Sequence, residues 1–180
     1  NQGTIEANHG NVALAAGNHV TLDFTGDGLM TVTVEQGVLD ALAQNGGLIQ
    51  ADGGFVIMTT QAQNDIYKNV VNNEGVIQAQ TLASKDGRIM LMGGMEQGQV
   101  MADGKLDASA PVNGDGGFIE TSAAKVDIQP GLVVTTKAET GQTGEWLIDP
   151  VDLLVAASGG NVTGETIETV LQSTNVTLDT

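Results

Sequence analysis

Asp23, Thr25, Asp27 and Gly28 follow the spacing of the first half of a calcium-binding loop. In such a loop, oxygen-bearing side chains at alternate positions and a glycine turn wrap the ion. The loop should end in a bidentate acid at its twelfth position, but that position is Val34. The spacing therefore favours a turn between two strands over a calcium site.

Two other kinds of chemistry depend on residues that are scarce in this chain. His9 and His19 could share a metal ion if folding brought them together. The chain has no cysteine to add a sulfur ligand, and a histidine pair without further sulfur or carboxylate ligands is more often a pair of polar surface residues. Glycan cleavage needs clustered carboxylates, and Arg88 is the only arginine that could assist them. Two carboxylates could still meet across strands, although solvated acidic turns are favoured. We predict no catalytic, metal or cofactor-binding residue.

Asn161-Val162-Thr163 and Asn175-Val176-Thr177 are N-glycosylation triplets. Asn161 and Asn175 are therefore candidate modification sites. Polar, β-rich sequences also produce this triplet by chance, which is the favoured interpretation.

Composition and charge exclude several classes of partner. The 22 acidic residues against 6 Lys and Arg give a net charge of −16, which repels nucleic-acid phosphates and anionic lipid surfaces. We therefore expect no nucleic acid and no membrane insertion. The 25 glycines and 3% aromatic content are typical of many short strands joined by tight turns.

A repeat of two short strands recurs along the chain. In each copy a glycine precedes an aliphatic residue and a small residue two positions apart, which places both on one face of a strand. A second glycine then precedes another alternating strand. The first aliphatic positions of the copies are Ile5, Ile49, Ile77 and Leu106, separated by 44, 28 and 29 residues. Stacked copies would form one apolar column, which predicts a β-solenoid.

Segments between and after these copies have helical patterns. Residues 38–43 and 62–71 are rich in helix formers and end at Asn or Gly, so we predict short helices against the stack, the second with Ile66, Val70 and Val71 on its apolar side. Residues 165–172 predict a further short helix before a strand at 175–179. Pro150 indicates a break in the stack.

Single large side chains complete the predicted core. Trp146 is expected to be a packed anchor, with sugar stacking as the alternative. Met90 and Met92 should share one strand face and, like Met58, fill the core.

Four segments resemble the large exoproteins of Gram-negative two-partner secretion, a family that includes filamentous haemagglutinin and the high-molecular-weight adhesins. These segments cover most of the chain in the expected order; they are residues 10–17, 20–29, 70–79 and 144–150. The resemblance implies a right-handed parallel β-helix that is secreted to the cell surface through an outer-membrane translocation pore. The family's Asn-Pro-Asn secretion signature is absent, so we expect the chain to begin late in, or just after, the secretion domain.

These observations predict an all-β, right-handed parallel β-helix with short helical insertions. Residues 1–150 would form the coils and residues 151–180 would start a further β-rich segment. The resemblance implies a scaffold or adhesive segment that contacts an unidentified host or bacterial surface receptor, without catalysis. The alternatives are a stalk for contact-dependent toxin delivery or haem-protein capture, and a β-helix polysaccharide-degrading enzyme.

Overall fold

The chain forms a parallel β-solenoid of about five turns. The structure is a computed structural model that describes residues 1–24, 30–37, 39–61 and 69–180. Three parallel sheets run along the stack. Sheet A contains β1 (Thr4–Glu6), β6 (Leu48–Gln50), β9 (Val76–Gln78), β12 (Lys105–Asp107) and β15 (Val133–Thr135). Sheet B contains β2 (Asn11–Ala16), β7 (Phe55–Thr60), β10 (Arg88–Met92), β13 (Phe118–Ala123), β16 (Glu145–Pro150) and β17 (Asn175–Leu178). Sheet C contains β5 (Ala41–Asn45), β8 (Asn69–Asn73), β11 (Gly98–Ala102) and β14 (Lys125–Ile128). The predicted parallel β-helix is confirmed.

The aliphatic positions of the repeat form a continuous column inside sheet A. Ile49 pairs with Ile5 on one side and with Ile77 on the other, and Leu106 follows Ile77 in the same register. Ile49, Ile77 and Leu106 have no exposed surface. Because strand side chains alternate between faces, the next residue of each strand lies on the outer face of the sheet. The period-two interpretation of the repeat is confirmed.

Trp146 lies in the corresponding column of sheet B. It is fully buried in register with Ile119, and its indole Nε1 donates a hydrogen bond to Thr121 Oγ1 at 3.3 Å. The predicted packed anchor is thus confirmed, and the buried indole is not available to stack on a sugar. Met58 is also fully buried in this core.

Stacked glycines allow the coils to approach at the corner before sheet B. A Cβ atom on Gly54 would lie 1.8 Å from the carbonyl oxygen of Gly10, and one on Gly117 would lie 2.0 Å from that of Gly87. Gly54 does not have a positive φ, which occurs one residue earlier, at Gly53. The glycines that open the sheet B strands are therefore required mainly for close backbone approach.

An antiparallel hairpin interrupts the first coil. Its strands are β3 (His19–Phe24) and β4 (Met30–Gln36), which pair only with each other in the described residues. Val32 packs on an apolar cluster on the outer face of sheet B that includes Phe55, Ile57, Met90 and Met92. Met90 and Met92 do share a face, but it is this outer face and not the core as predicted.

The predicted helix at 38–43 is wrong over residues 39–43, and Val38 lies outside the described residues. Ala41–Asn45 forms β5, in which buried Ala41, Ala43 and Asn45 alternate with Leu42, whose surface is 53% exposed. Lateral pairing with β8 overrides the helix-forming tendency of the Ala and Leu residues.

The second predicted helix, 62–71, cannot be assigned as a whole, because residues 62–68, including Ile66, lie outside the described residues. Its last part is wrong, because Asn69–Asn73 forms β8. Val71 is fully buried in that strand and its neighbour Val70 points to the opposite face, so they do not share an apolar stripe.

The predicted C-terminal helix and strand are confirmed. α1 (Gly164–Val170) begins after the N-cap Thr163, whose side chain accepts a hydrogen bond from Thr166 N. β17 then stacks on β16, so sheet B continues beyond Pro150, which is the last residue of β16 and pairs with Ala123. Stacking in sheet B is therefore not broken at this proline.

Candidate functional site

Polar side chains cover the outer surface of sheet A and of the residues that directly follow its strands. Backbone hydrogen bonds continue the sheet past the strand ends, for example from Gly53 N to Gln80 O at 2.7 Å and from Thr81 N to Ser109 O at 2.8 Å. Side chains from three successive coils therefore lie in rows. We call this surface the polar face; its members in the central coils are Gln50, Asp52, Gln78, Gln80, Lys105, Asp107 and Ser109.

Asp52 connects the first two of these coils by hydrogen bonds. Its Oδ2 accepts hydrogen bonds from Gln50 Nε2 and Gln78 Nε2, each at 2.7 Å. Its Oδ1 accepts one from the backbone N of Gln80 at 2.9 Å. The residue is only 7% exposed. This carboxylate therefore joins two coils through three donors.

Asp107 has the corresponding role one coil further on. Its Oδ1 accepts from Ser109 Oγ at 2.6 Å and from Ser109 N at 3.0 Å. Its Oδ2 accepts from Lys105 Nζ at 2.8 Å and from Gln80 Nε2 at 3.1 Å. Burial acts to raise the pKa of Asp107, but the hydrogen bonds from Lys105 and Ser109 and the Lys105 charge outweigh it and hold the pKa below its usual range.

The setting of Asp107 is not that of a glycosidase acid. A glycosidase acid must keep its proton near neutral pH, which requires a raised pKa. Asp107 is shifted in the opposite direction, and both of its oxygens are engaged by protein donors. These hydrogen bonds instead hold the side chains of the polar face in fixed positions.

A second polar row lies inside the stack, next to sheet C. Asn1 Nδ2 donates to Asn45 Oδ1 and Asn45 Nδ2 donates to Asn73 Oδ1, both at 2.9 Å. Asn73 Nδ2 then donates to Asp103 O at 2.8 Å. Asn45 and Asn73 are fully buried, so this asparagine ladder satisfies polar groups that would otherwise be unpaired.

The sequence reasoning missed both the asparagine ladder and the engaged carboxylates. A signal for the ladder was present, because an asparagine stands two residues before a repeat glycine in three copies: Asn1 before Gly3, Asn45 before Gly47, and Asn73 before Gly75. Nothing comparable marks Asp52, since its donors come from three residues in two coils.

The two histidines lie in different settings. His9 occupies a corner with φ of 61°, whereas His19 is on the hairpin, where its Nδ1 contacts Glu35 Oε2 at 2.5 Å. Thr21 Oγ1 donates to the other oxygen of Glu35 at 2.6 Å. Hydrogen bonds from Thr21 and then from His19 lower the pKa of Glu35. These contacts join the two hairpin strands.

The structure places only part of the calcium-like segment. Asp23 belongs to β3, and Thr25, Asp27 and Gly28 lie outside the described residues. Val34, at the position where the last ligand should stand, is a buried residue of β4. Among the described residues, no group of three or more histidine, aspartate or glutamate side chains is arranged to hold a metal ion.

Both glycosylation-triplet asparagines use their side chains to bind backbone atoms. Asn161 Nδ2 donates to Val126 O and its Oδ1 accepts from Leu154 N, each at 2.7 Å. Asn175 Nδ2 donates to Thr143 O at 2.9 Å and to Gly144 O at 3.0 Å. In the folded chain the side-chain amide nitrogen of each asparagine therefore donates to backbone carbonyl oxygens of a neighbouring coil.

A groove of about 490 Å³ lies beside Asn161, between β14 and the segment that leads to α1. Its polar lining includes Lys125, Asp127, Gln129 and Thr163. Gln129 Nε2 donates to Asp127 Oδ1 at 2.9 Å, and Thr163 caps α1. These side chains stabilise the local backbone.

Comparison of the chain with protein-family models, with curated proteins and with solved structures found no match. In the part of the chain that the structure describes, no helix has the length and apolar character needed to cross a membrane.

Proposed function

We propose that this chain is a scaffold and adhesive segment of a large secreted exoprotein on the surface of a Gram-negative bacterium. The observation that carries the proposal is that Asp52 and Asp107 each accept hydrogen bonds from a neighbouring coil, which hold the donors and acceptors of the polar face in fixed positions. A surface of this kind meets a partner through many weak contacts gathered from several coils. The resemblance of four sequence segments to two-partner secretion exoproteins supports the same proposal.

The partners of this proposed segment are an outer-membrane translocation pore during secretion and a receptor on a host or bacterial surface afterwards. The net charge of −16 favours a receptor that is neutral or basic over an anionic one.

Attachment of coated beads to cultured epithelial cells and to bacteria tests the adhesive function. Beads that carry the folded chain should attach more than beads that carry the same chain after thermal unfolding. Equal attachment of the two bead types to all cells would contradict the proposal. Release of products from polyuronides would instead favour an enzyme.

A matched pair of variants tests whether the polar face makes the contact. Gln78 and Gln99 occupy β9 and β11 of the same coil, and both point away from the core. Gln78→Ala removes a donor to Asp52, whereas Gln99→Ala alters the outer surface of sheet C. Attachment should fall with Gln78→Ala and persist with Gln99→Ala, measured at a temperature at which both variants are folded. The reverse pattern would assign the contact to sheet C.

A further inference from the structure

Two Asn-Gly pairs occur in the chain, and the fold places them in opposite environments. Asn45-Gly46 ends β5 inside the stack, and Asn113-Gly114 lies in the corner between β12 and β13. The Asn-Gly pair is chemically labile, because glycine has no Cβ to obstruct attack of its backbone nitrogen on the preceding side-chain amide. Each pair is therefore a potential site of self-modification.

The first pair is held against reaction at both reacting groups. Asn45 is fully buried, its Oδ1 accepts from Asn1 Nδ2 at 2.9 Å, and its Nδ2 donates to Asn73 Oδ1 at 2.9 Å. The nitrogen that would attack, Gly46 N, donates a hydrogen bond to Asn1 O at 2.9 Å. Neither group can reach the other without loss of these contacts.

The second pair lacks these restraints. Asn113 is exposed, and in the described residues neither its side-chain amide nor Gly114 N has a hydrogen-bond partner. The adjoining Asp115-Gly116 pair, by contrast, is engaged. Asp115 Oδ1 accepts from Gln142 N and Gly116 N donates to Gln142 O, both at 2.8 Å. Within this corner, the Asn113-Gly114 junction thus lacks the hydrogen bonds that hold the Asp115-Gly116 junction.

We propose that Asn113 is a site of spontaneous modification at which its amide is converted to a carboxylate. Gly114 N loses its proton to solvent and attacks Asn113 Cγ, the Cγ–Nδ2 bond breaks, and ammonia leaves after gaining a proton. Water then opens the cyclic imide at either carbonyl, which gives aspartate or isoaspartate without any oxidant or reductant.

The modification would change a closely packed corner of the stack. A Cβ on Gly114 would lie 2.9 Å from Ala83 O, and one on Gly141 would lie 2.2 Å from Gly114 O. Isoaspartate inserts an extra main-chain carbon at this junction, and either product adds a negative charge beside Asp115. The fraction of chains modified at Asn113 would therefore increase with the time since the protein folded.

Incubation of the full chain at mildly alkaline pH, followed by proteolysis and peptide mass spectrometry, tests this proposal. The peptide with Asn113 should gain the mass of an amide-to-acid exchange and react with isoaspartate methyltransferase, while the peptide with Asn45 stays unchanged. In denaturant both peptides should convert. Asn113→Gln should abolish the first signal and leave the thermal stability unaltered. Equal conversion at Asn45 and Asn113 in the native chain, or an unmodified Asn113 under conditions that convert denatured Asn45, would overturn it.

Discussion

Asp107 joins two coils through four protein donors on its two carboxylate oxygens. Those donors bind the ionised form, so they stabilise the folded state only while the carboxylate is charged. Asp52 has the same design with three donors. Gln78 and Gln80 lie in the coil between these two carboxylates; both donate to Asp52, and Gln80 also donates to Asp107.

The lowered pKa of Asp107 predicts a loss of stability in acid. Its native pKa lies below the unfolded value of about 3.9, so its contribution is present above that pH and is lost as the pH falls through the native pKa. Asp107→Asn should therefore flatten the dependence of the unfolding free energy on pH between about 5 and 2. Lys105→Met should have a smaller effect in the same direction. Urea titrations across this range would contradict the prediction if all three proteins gave equal slopes.

The asparagine ladder provides a test with adjacent residues. Asn73→Ala removes the 2.9 Å acceptor of Asn45 Nδ2 and the 2.8 Å donor to Asp103 O, which should cost about 1 to 3 kcal/mol. Asn72 points outward, and its one side-chain hydrogen bond among the described residues is to exposed Glu74, so Asn72→Ala should stay within about 0.5 kcal/mol. Chemical denaturation of both variants measures the difference. Similar losses would show that the ladder contributes little.

The apolar column of sheet A predicts severe damage from Ile77→Asp. The substitution removes burial worth about 2 to 5 kcal/mol and places a carboxylate between Ile49 and Leu106 without a partner. Gln78→Asp is a poorer control than its outward position suggests, because Gln78 donates to Asp52. Gln99→Asp is the cleaner comparison and should stay within about 0.5 kcal/mol. Equal midpoints in urea for Ile77→Asp and Gln99→Asp would refute the assignment of faces.

At the scale of elements, the strands of the repeat were predictable because period-two alternation and lateral stacking act together. Ile49 and Ile77 are equivalent both in the sequence and in the fold. Residues 38–43 were mispredicted because local helix propensity was weighed without the neighbouring strand β8. The helix α1 was predictable because no strand competes for its residues and Thr163 supplies a cap.

The hairpin β3–β4 should be the least stable element among those described. A two-stranded hairpin is marginal by itself, and this one is attached to sheet B through Val32 and the apolar cluster around Phe55 and Ile57. Native-state hydrogen exchange should therefore be faster at the amides of β3 and β4 than at those of β10, which is paired on both sides. Protection of the hairpin equal to that of β10 would show that the two unfold together.

At the scale of the whole molecule, calcium should leave stability unchanged. A ligand that binds only the folded state raises the melting temperature, but Val34 is a buried strand residue and cannot complete a calcium loop that begins at Asp23. Thermal unfolding with millimolar calcium and with a chelator should give the same midpoint. A shift of several degrees would reveal a calcium site.

The solenoid as a whole was predictable from the repeat, whereas the polar face was not. Alternation in one strand shows that Gln78 points outward, but only the register between coils shows that it meets Asp52. The same limit applies to Met90 and Met92, whose shared face was evident while the apolar cluster beneath the hairpin was not. To predict the contacts between coils, one must know the length of each insertion, and the alternation of residues within a strand does not give it.

The insertion of the hairpin also bears on loop-closure entropy. Asn1 and Asn45 meet across 44 residues, whereas Asn45 and Asn73 meet across 28. Because the closure cost grows only with the logarithm of loop length, the longer span costs about 0.4 kcal/mol more. This difference is small compared with the free energy that each coil gains by burying apolar side chains. The connection between β2 and β5 can therefore contain insertions of different length and sequence while the stacked strands keep their register.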